Sequence, residues 1–534
     1  MKAKKTAALS AAVLIAFSAV AGGCGKKAET SGEDGKNELS YWIPLPAQVA
    51  TYYSSMSEVT MYKELEKITG VKINFIHPTF DQAQEKFSLM IASGNLADIV
   101  ETDWRTYYQG GITKALRDGI IIELDDIIDK SAPNYKKFME ENPETRRGVL
   151  TSDGHYCVFP RVYRSDEESK KSMRTNFGGM IIRKDWLDKC GLELPETIDE
   201  WNTALHAFKD KLGIKHPLCI ESGWFKPEGN GNNFNNAYGI GMGWYLNNGK
   251  VKFGPSEKSY KEFIAQLNQW YKDGILDPDF DTISTSTTQS QVIEGVTGAF
   301  YGFIAGSIGK IMNSGELENG FMLAGTQYPV MNKGDEPYFM NSISLVTAPY
   351  AAITKNCKNP EVAAKMMDYF YSEKGAVLKT YGIEGLTYER VDENSVKYTD
   401  EIMHNEKGLT PTEALALHTR AYSASPGITA KTTVTTSKYD TKEQQDAYEL
   451  YNKYVANGLK TQLPVFEYDI KTAEEVAAIE FDINNYVYEN VVRFIKGAES
   501  MDKFDDFQKH INELNLKRLK EIKQKAYEKY INNN

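Results

Sequence analysis

The sequence predicts an α/β body of at least two lobes that ends in a run of helices. Three observations carry this. Strand and helix patterns alternate from residue 39 to residue 100, 534 residues exceed what one hydrophobic core serves, and the apolar spacing from about residue 474 onward is helical. Residues 39–43 read as a short strand ended by Pro44 and Pro46. A helical stretch follows with Tyr62, Leu65 and Ile68 on one face before Gly70, and residues 71–76 alternate as a second strand. Residues 82–92 form a helix with Phe87, Met90 and Ile91 on its stripe, and after Gly94 residues 96–100 read as a third strand. Strands alternating with helices in this way imply a parallel sheet with right-handed crossovers.

Further along, Thr197 and Glu200 make a capping box for a helix whose Trp201, Leu205, Phe208 and Leu212 recur at helical spacing. Residues 259–272 place Phe263, Leu267, Trp270 and Tyr271 on one side. Asn359 followed by Pro360 opens another helix, with Val362, Met366 and Phe370 inward. Near the C-terminus Tyr486, Val491, Phe494 and Ile495 precede Gly497, and Phe507, Ile511, Leu514 and Leu519 fill the last segment. No internal repeat is visible.

The first residues read as an export signal, with Lys2, Lys4 and Lys5 ahead of an apolar stretch from 7 to 20 that is too short for a confident membrane span. It runs into Ala21-Gly22-Gly23-Cys24, which resembles a lipobox with Ala21 where Leu is usual. Residues 1–23 are therefore expected to be a lipoprotein signal peptide, with lipid on the Cys24 sulfur. An ordinary secretory signal with an incidental cysteine is the alternative. Residues 24–38 lack a large apolar side chain until Leu39, as a flexible tether requires. Hydrophobic residues at 41% suffice for real cores, and a net charge of -11 without a basic cluster argues against nucleic acid. Cys157, Cys190, Cys219 and Cys357 are widely spaced, which suggests neither a zinc site nor a dense disulfide framework and leaves a single pairing open.

Enzyme signatures fail on spacing. Gly306-Ser307-Ile308-Gly309 is not a nucleophile elbow, because the serine lacks one residue on each side between glycines. Asp277, Asp279 and Asp281 alternate as a calcium loop does, but Thr282 stands where the turn needs glycine and Thr288 where the bidentate Glu belongs, so a plain turn is expected. No phosphate loop or dinucleotide fingerprint occurs, and the seven histidines are scattered, so no metal and no cofactor is expected. A carbohydrate-cleaving enzyme needs two carboxylates across one bond. With 73 Asp and Glu in the chain, some such pair is always available and discriminates nothing.

Several blocks in order along the chain resemble the extracellular solute-binding proteins of the LplA-like lipoprotein branch, relatives of the maltose-binding type. They are Asp98-Ile99-Val100, residues 118–126 leading to Ala132-Pro133-Asn134-Tyr135, residues 182–187, Leu194-Pro195-Glu196-Thr197 with Glu200-Trp201, residues 271–278, Asn359-Pro360-Glu361, and residues 381–385. The resemblance implies a type II periplasmic-binding-protein fold, two lobes around a hinge with a ligand cleft between them. Lobe 1 would take residues 39–160 and about 341–395, and lobe 2 residues 161–340 and about 396–534. It also implies a lipid-anchored protein on the outer face of a bacterial, Gram-positive membrane that delivers a carbohydrate, by analogy an oligosaccharide, to ABC permease subunits without acting as an enzyme. The alternatives are a secreted glycosidase or lyase and a surface adhesin.

A sugar site combines flat aromatic surfaces with planar hydrogen-bonding groups. Trp186, Trp201 and Trp270 lie in helical patterns and read as core. Trp42 and Trp104 follow strands, the second beside Asp103, where a doubly wound lobe offers its ligand loops. Trp224 lies in a comparable turn, and Trp244 sits among glycines that mark close packing. By the resemblance, Tyr301 supplies an aromatic from the second lobe. Arg161 and Tyr163 after Pro160 are expected to contact hydroxyls near the hinge, with a salt-bridged surface role as an equal alternative for Arg161. Glu384 in its Gly-Ile-Glu-Gly run completes the candidate set, with Trp104 its sharpest member.

Overall fold

The computed structural model describes residues 37–79, 82–166, 176–227, 233–314, 317–339, 344–421, 425–431, 433–434 and 441–532. The export signal, Cys24 and nearly all of the tether lie outside the described residues. Two sheets organise the rest. In the first, β1 (Glu38–Trp42) lies between β2 (Lys72–Ile76) and β3 (Ile99–Thr102), parallel to both. Next to β3 runs β11 (Val346–Ile353), antiparallel to it and to β4 (Phe159–Val162), and β14 (Gly427–Ile428) closes that side parallel to β4. The second sheet has the order β10 (Leu323–Gly325), β5 (Gly178–Arg183), β9 (Ala299–Phe303), β6 (Leu218–Cys219), with β6 and β9 parallel and the others antiparallel.

The chain leaves the first sheet after β4, returns for β11, and leaves again after β14 for the helix Lys442–Asn452, which packs on β10. Each sheet has its own core. On the first, Tyr41, Ile99, Val100, Phe159, Ala352 and Met367 meet with almost no exposed surface. On the second, period-two alternation buries both faces. Met180, Ile182, Ala299 and Tyr301 enter one cluster, whereas Ile181 and Phe300 enter another with Tyr451. Val396, Tyr398, Ile402, Leu415 and Ile428, from the stretch expected in lobe 2, pack into the core of the first sheet. The reason is β14, whose pairing with β4 draws the preceding helices onto the first sheet.

The local readings of helices are met where capping chemistry is local. The helix Ile198–Leu212 opens on Thr197, whose hydroxyl accepts from the Glu200 amide while the Glu200 carboxylate accepts from the Thr197 amide at 3.1 Å. Its Trp201, Leu205 and Phe208 are buried, and Gly213 at φ 72° ends it. The helix Ala83–Ser93 ends on Gly94 at φ 68° and buries Phe87. In the helix Thr60–Thr69 the buried stripe is Met61, Tyr62 and Leu65, and Ile68 is exposed. The C-terminal part consists of Ile470–Lys496, Phe504–Ile511 and Lys517–Asn532, packed against the helix Ser259–Lys272 and the hairpin of β7 (Trp244–Asn247) and β8 (Lys250–Phe253). Asp277 is buried in a turn, with one oxygen accepting from the Asp279 amide at 2.8 Å, and Asp281 pairs with Lys496.

Candidate functional site

In open α/β sheets the loops beyond the carboxyl ends of parallel strands are where ligand groups gather. In the first sheet these are the ends of β1, β3 and β4, which carry Trp42, Thr102 and Val162. Trp42 and Trp104, expected there as stacking surfaces, are core residues instead. Trp42 is 3% exposed and meets the Phe87 ring edge-on at 6.1 Å. Trp104 has no exposed surface, its indole nitrogen donates to the Val100 carbonyl at 3.0 Å, and Phe87 lies edge-on at 5.1 Å. The cause is a register of two residues. β3 spans Ile99–Thr102 rather than 96–100, so Asp103 becomes the cap of a short helix and Trp104 its first residue, turned back onto the strand. The Asp103 carboxylate accepts from the Thr106 hydroxyl at 2.8 Å and is a helix cap.

Tyr163 is buried, with its carbonyl accepting from the Thr145 hydroxyl, and the Arg161 guanidinium lies 5.1 Å from its ring centre. Glu384 is exposed and pairs with Arg390 at 3.2 Å, apart from the other candidates. Sequence reasoning missed the polar core of this end. The Glu101 carboxylate accepts from Arg420 at 2.9 Å and from the Tyr41 hydroxyl at 2.6 Å, while Arg420 also donates to the Tyr62 hydroxyl. Both partners of the ion pair are almost fully buried. Lys379, buried beside them, donates to the Pro426 carbonyl at 3.0 Å. Burial, with Arg161 and Arg420 adding repulsion, holds its amine well below the usual lysine range.

The second sheet brings two candidates together. Trp224 lies in the 3-10 turn Ser222–Phe225 just beyond β6, and Tyr301 lies near the end of the parallel neighbour β9. Their ring centres are 4.0 Å apart, tilted 43°. Phe303, on the same face of β9 as Tyr301, stands 6.0 Å from Trp224 and 6.2 Å from Tyr301 and is 45% exposed. Phe177, at 37% exposure, precedes Gly178, which pairs with Phe303 across the ladder. Gly178 must lack a Cβ here, because one would come within 2.9 Å of the Tyr301 hydroxyl. Beyond Phe303 the chain enters a π-helical turn, Ile304–Gly309, and the buried Ser307 hydroxyl accepts from the Phe303 amide at 3.1 Å. Ser307 thus positions the strand end. Phe177 and Phe303 were invisible to sequence reasoning, although the period-two pattern of Ala299, Tyr301 and Phe303 is a signal that finds the second.

A strap joins the two bodies. Glu467, ahead of the helix Ile470–Lys496, pairs with Arg105 at 2.6 Å and accepts from the Thr113 hydroxyl, while Arg105 also donates to the Tyr350 hydroxyl and the Gly148 carbonyl. Beside it an open cavity of about 380 Å³ is lined from both sides, by Arg147, Val346, Leu246 and Tyr530 among others. Among the described residues, Glu123, Asp125 and His155 are the group with metal-ligand types in reach of one another, and His155 already bonds Asp125 at 3.1 Å. Cys157, Cys190, Cys219 and Cys357 are all free thiols. Trp244 packs on Phe253 at 4.7 Å under the Lys523 amine.

Residues 51–377, more than half of the chain, match the family model of bacterial extracellular solute-binding proteins. The chain belongs to that family. It is 28% identical to the fructooligosaccharide ABC transporter substrate-binding protein FusA of Streptococcus pneumoniae, with 98% of each chain covered. It is 22% identical to the polygalacturonan/rhamnogalacturonan-binding protein YtcQ of Bacillus subtilis over 79% of this chain and 82% of that one. Its fold matches that of the alginate-binding protein AlgQ2 with TM-score 0.73 at 22% identity, covering 94% of this chain and 100% of that one. FusA bound to kestose matches with TM-score 0.71 at 24% identity, over 93% and 100%. The type II solute-binding fold is therefore the fold of this chain, and the family and these relatives are binding proteins rather than enzymes. Among the described residues no helix is long and apolar enough to cross a membrane.

Proposed function

We propose that this chain captures an oligosaccharide outside the cell, in the cleft between its two lobes, and delivers it to the permease of an ABC importer without cleaving it. The likeness to FusA along nearly the whole length of both chains carries this reading. Trp224, Phe303 and Phe177, which keep exposed surface around the buried Tyr301, support it from chemistry, because flat apolar faces at a strand end suit the C–H faces of sugar rings. Cys24 carries the lipid that holds the protein on the outer face of a Gram-positive membrane. The lobes divide after β4 and before β11, with residues 396–421 and 425–430 in the first, and close about these crossings.

The test is a calorimetric titration of the full-length protein carrying Cys24→Ser with fructan and pectic oligosaccharides. Binding with no new reducing ends on prolonged incubation is the expected result. Failure of both sugar classes to bind, or the appearance of reducing ends, breaks the reading.

A further inference from the structure

The polar groups at the carboxyl end of the first sheet are not balanced in charge. Arg161 lies next to the last residue of β4, in register with Thr347 on β11 and with Gly427 on β14. Its side chain is half-buried, and among the described residues its guanidinium has a ring contact with Tyr163 and neither a hydrogen-bond acceptor nor a carboxylate. Arg161 and Arg420 both act on Lys379, and Glu101 is the carboxylate that opposes them, already held by Arg420 and Tyr41. Across the ladder, the Thr347 hydroxyl is buried and unpartnered. A chain with 73 acidic and 62 basic residues has carboxylates to spare, yet among the described residues none pairs with Arg161. The water-exposed part of a half-buried guanidinium keeps its N–H donors available to an acceptor from outside the fold.

We propose that Arg161, with Lys379 behind it and the Thr347 hydroxyl beside it, receives a carboxylate of the ligand, so that the oligosaccharide taken by this site carries uronic acid units. The proposal rests on the sugar-binding reading above and narrows it. A guanidinium presents its donors as a planar fork that matches a carboxylate with two parallel hydrogen bonds, whereas a neutral sugar offers single hydroxyls that a glutamine amide bonds equally well. Aromatic faces on the second sheet and a carboxylate anchor on the first are complementary demands of an acidic sugar chain.

The experiment titrates the full-length Cys24→Ser protein with trigalacturonate, with its methyl ester, with kestose and with inorganic phosphate, and repeats each titration on Arg161→Gln and Arg161→Lys. Trigalacturonate is expected to bind about tenfold to a hundredfold more tightly than its ester. Arg161→Gln removes that preference, bringing trigalacturonate down to the affinity of its ester, and Arg161→Lys restores only part of it. Equal denaturant midpoints for the three proteins show that the fold is intact, and a double variant with Lys379→Met enlarges the loss if Arg161→Gln alone is partial. Kestose binding with no preference for trigalacturonate, unchanged in Arg161→Gln, overturns the inference and leaves the sugar-binding reading standing. Phosphate binding that depends on Arg161, without uronate binding, also overturns it. If none of the three sugars binds, the sugar-binding reading fails first and the inference with it.

Discussion

At the carboxyl end of β3, Glu101 is 2% exposed and enclosed by Arg420 and Tyr41, and two tryptophans that follow strands in sequence turn inward onto Phe87. At the carboxyl end of β9, Phe303 leaves 45% of its surface in water beside Trp224. Both ends use large side chains at equivalent places, but one spends them on its own fold and the other leaves apolar surface uncovered. Folding gains nothing from the surface that stays exposed, which supports the proposal that this end meets a ligand. Removing groups from the first end should therefore appear in stability, and removing them from the second in binding.

Trp104→Ala gives the largest effect. A fully buried indole cut to alanine destabilises by about 3–5 kcal/mol, read as a fall in the denaturant midpoint with ligand affinity intact in the folded fraction. Lost affinity at unchanged stability would return Trp104 to the site and erase the contrast between the ends. Arg420→Met comes next, since it leaves the Glu101 carboxylate buried without its cation. Breaking such a pair destabilises by about 3–5 kcal/mol, and adding Glu101→Gln should recover part of the loss.

Trp224→Ala is expected to act in the opposite sense. Its denaturant midpoint should barely move, while affinity for the bound oligosaccharide falls more than tenfold, about 2 kcal/mol for an aromatic anchor. A matching loss of stability would make the second end a core as well.

Lys379→Met tests the smallest effect. The amine is held below its ordinary value, so it lowers stability at neutral pH, where the unfolded chain binds a proton that the fold resists. The penalty is absent above the unfolded lysine pKa and grows as pH falls. The methionine variant should match or exceed the parent in stability at pH 7, with the difference shrinking as pH rises toward 10. A difference that widens with rising pH would show the charge to be welcome in the fold.

Periodicity and capping located the helices Ala83–Ser93 and Ile198–Leu212, and the core tryptophans Trp201 and Trp270, because each depends on neighbours within four residues. The strand assignments were close, yet a shift of two residues in β3 sufficed to send Trp104 from a loop surface into the core. Trp224 and Tyr301 were found as residue types, but their contact at 4.0 Å joins positions 77 residues apart through the pairing of β6 with β9. The pairing of Glu101 with Arg420 spans 319 residues, and no local pattern encodes it.

From the sequence alone follow the α/β class, the helical C-terminal part and the ordered blocks that resemble solute-binding proteins. These depend on composition and on spacings within a single element, where the physics is local. Which aromatic is buried and which meets solvent, which cation finds a carboxylate, and which sheet receives Val396, Leu415 and Ile428 depend on strand order and on which sheet ends come into register. Those are properties of long-range pairing, and only the tertiary structure decides them.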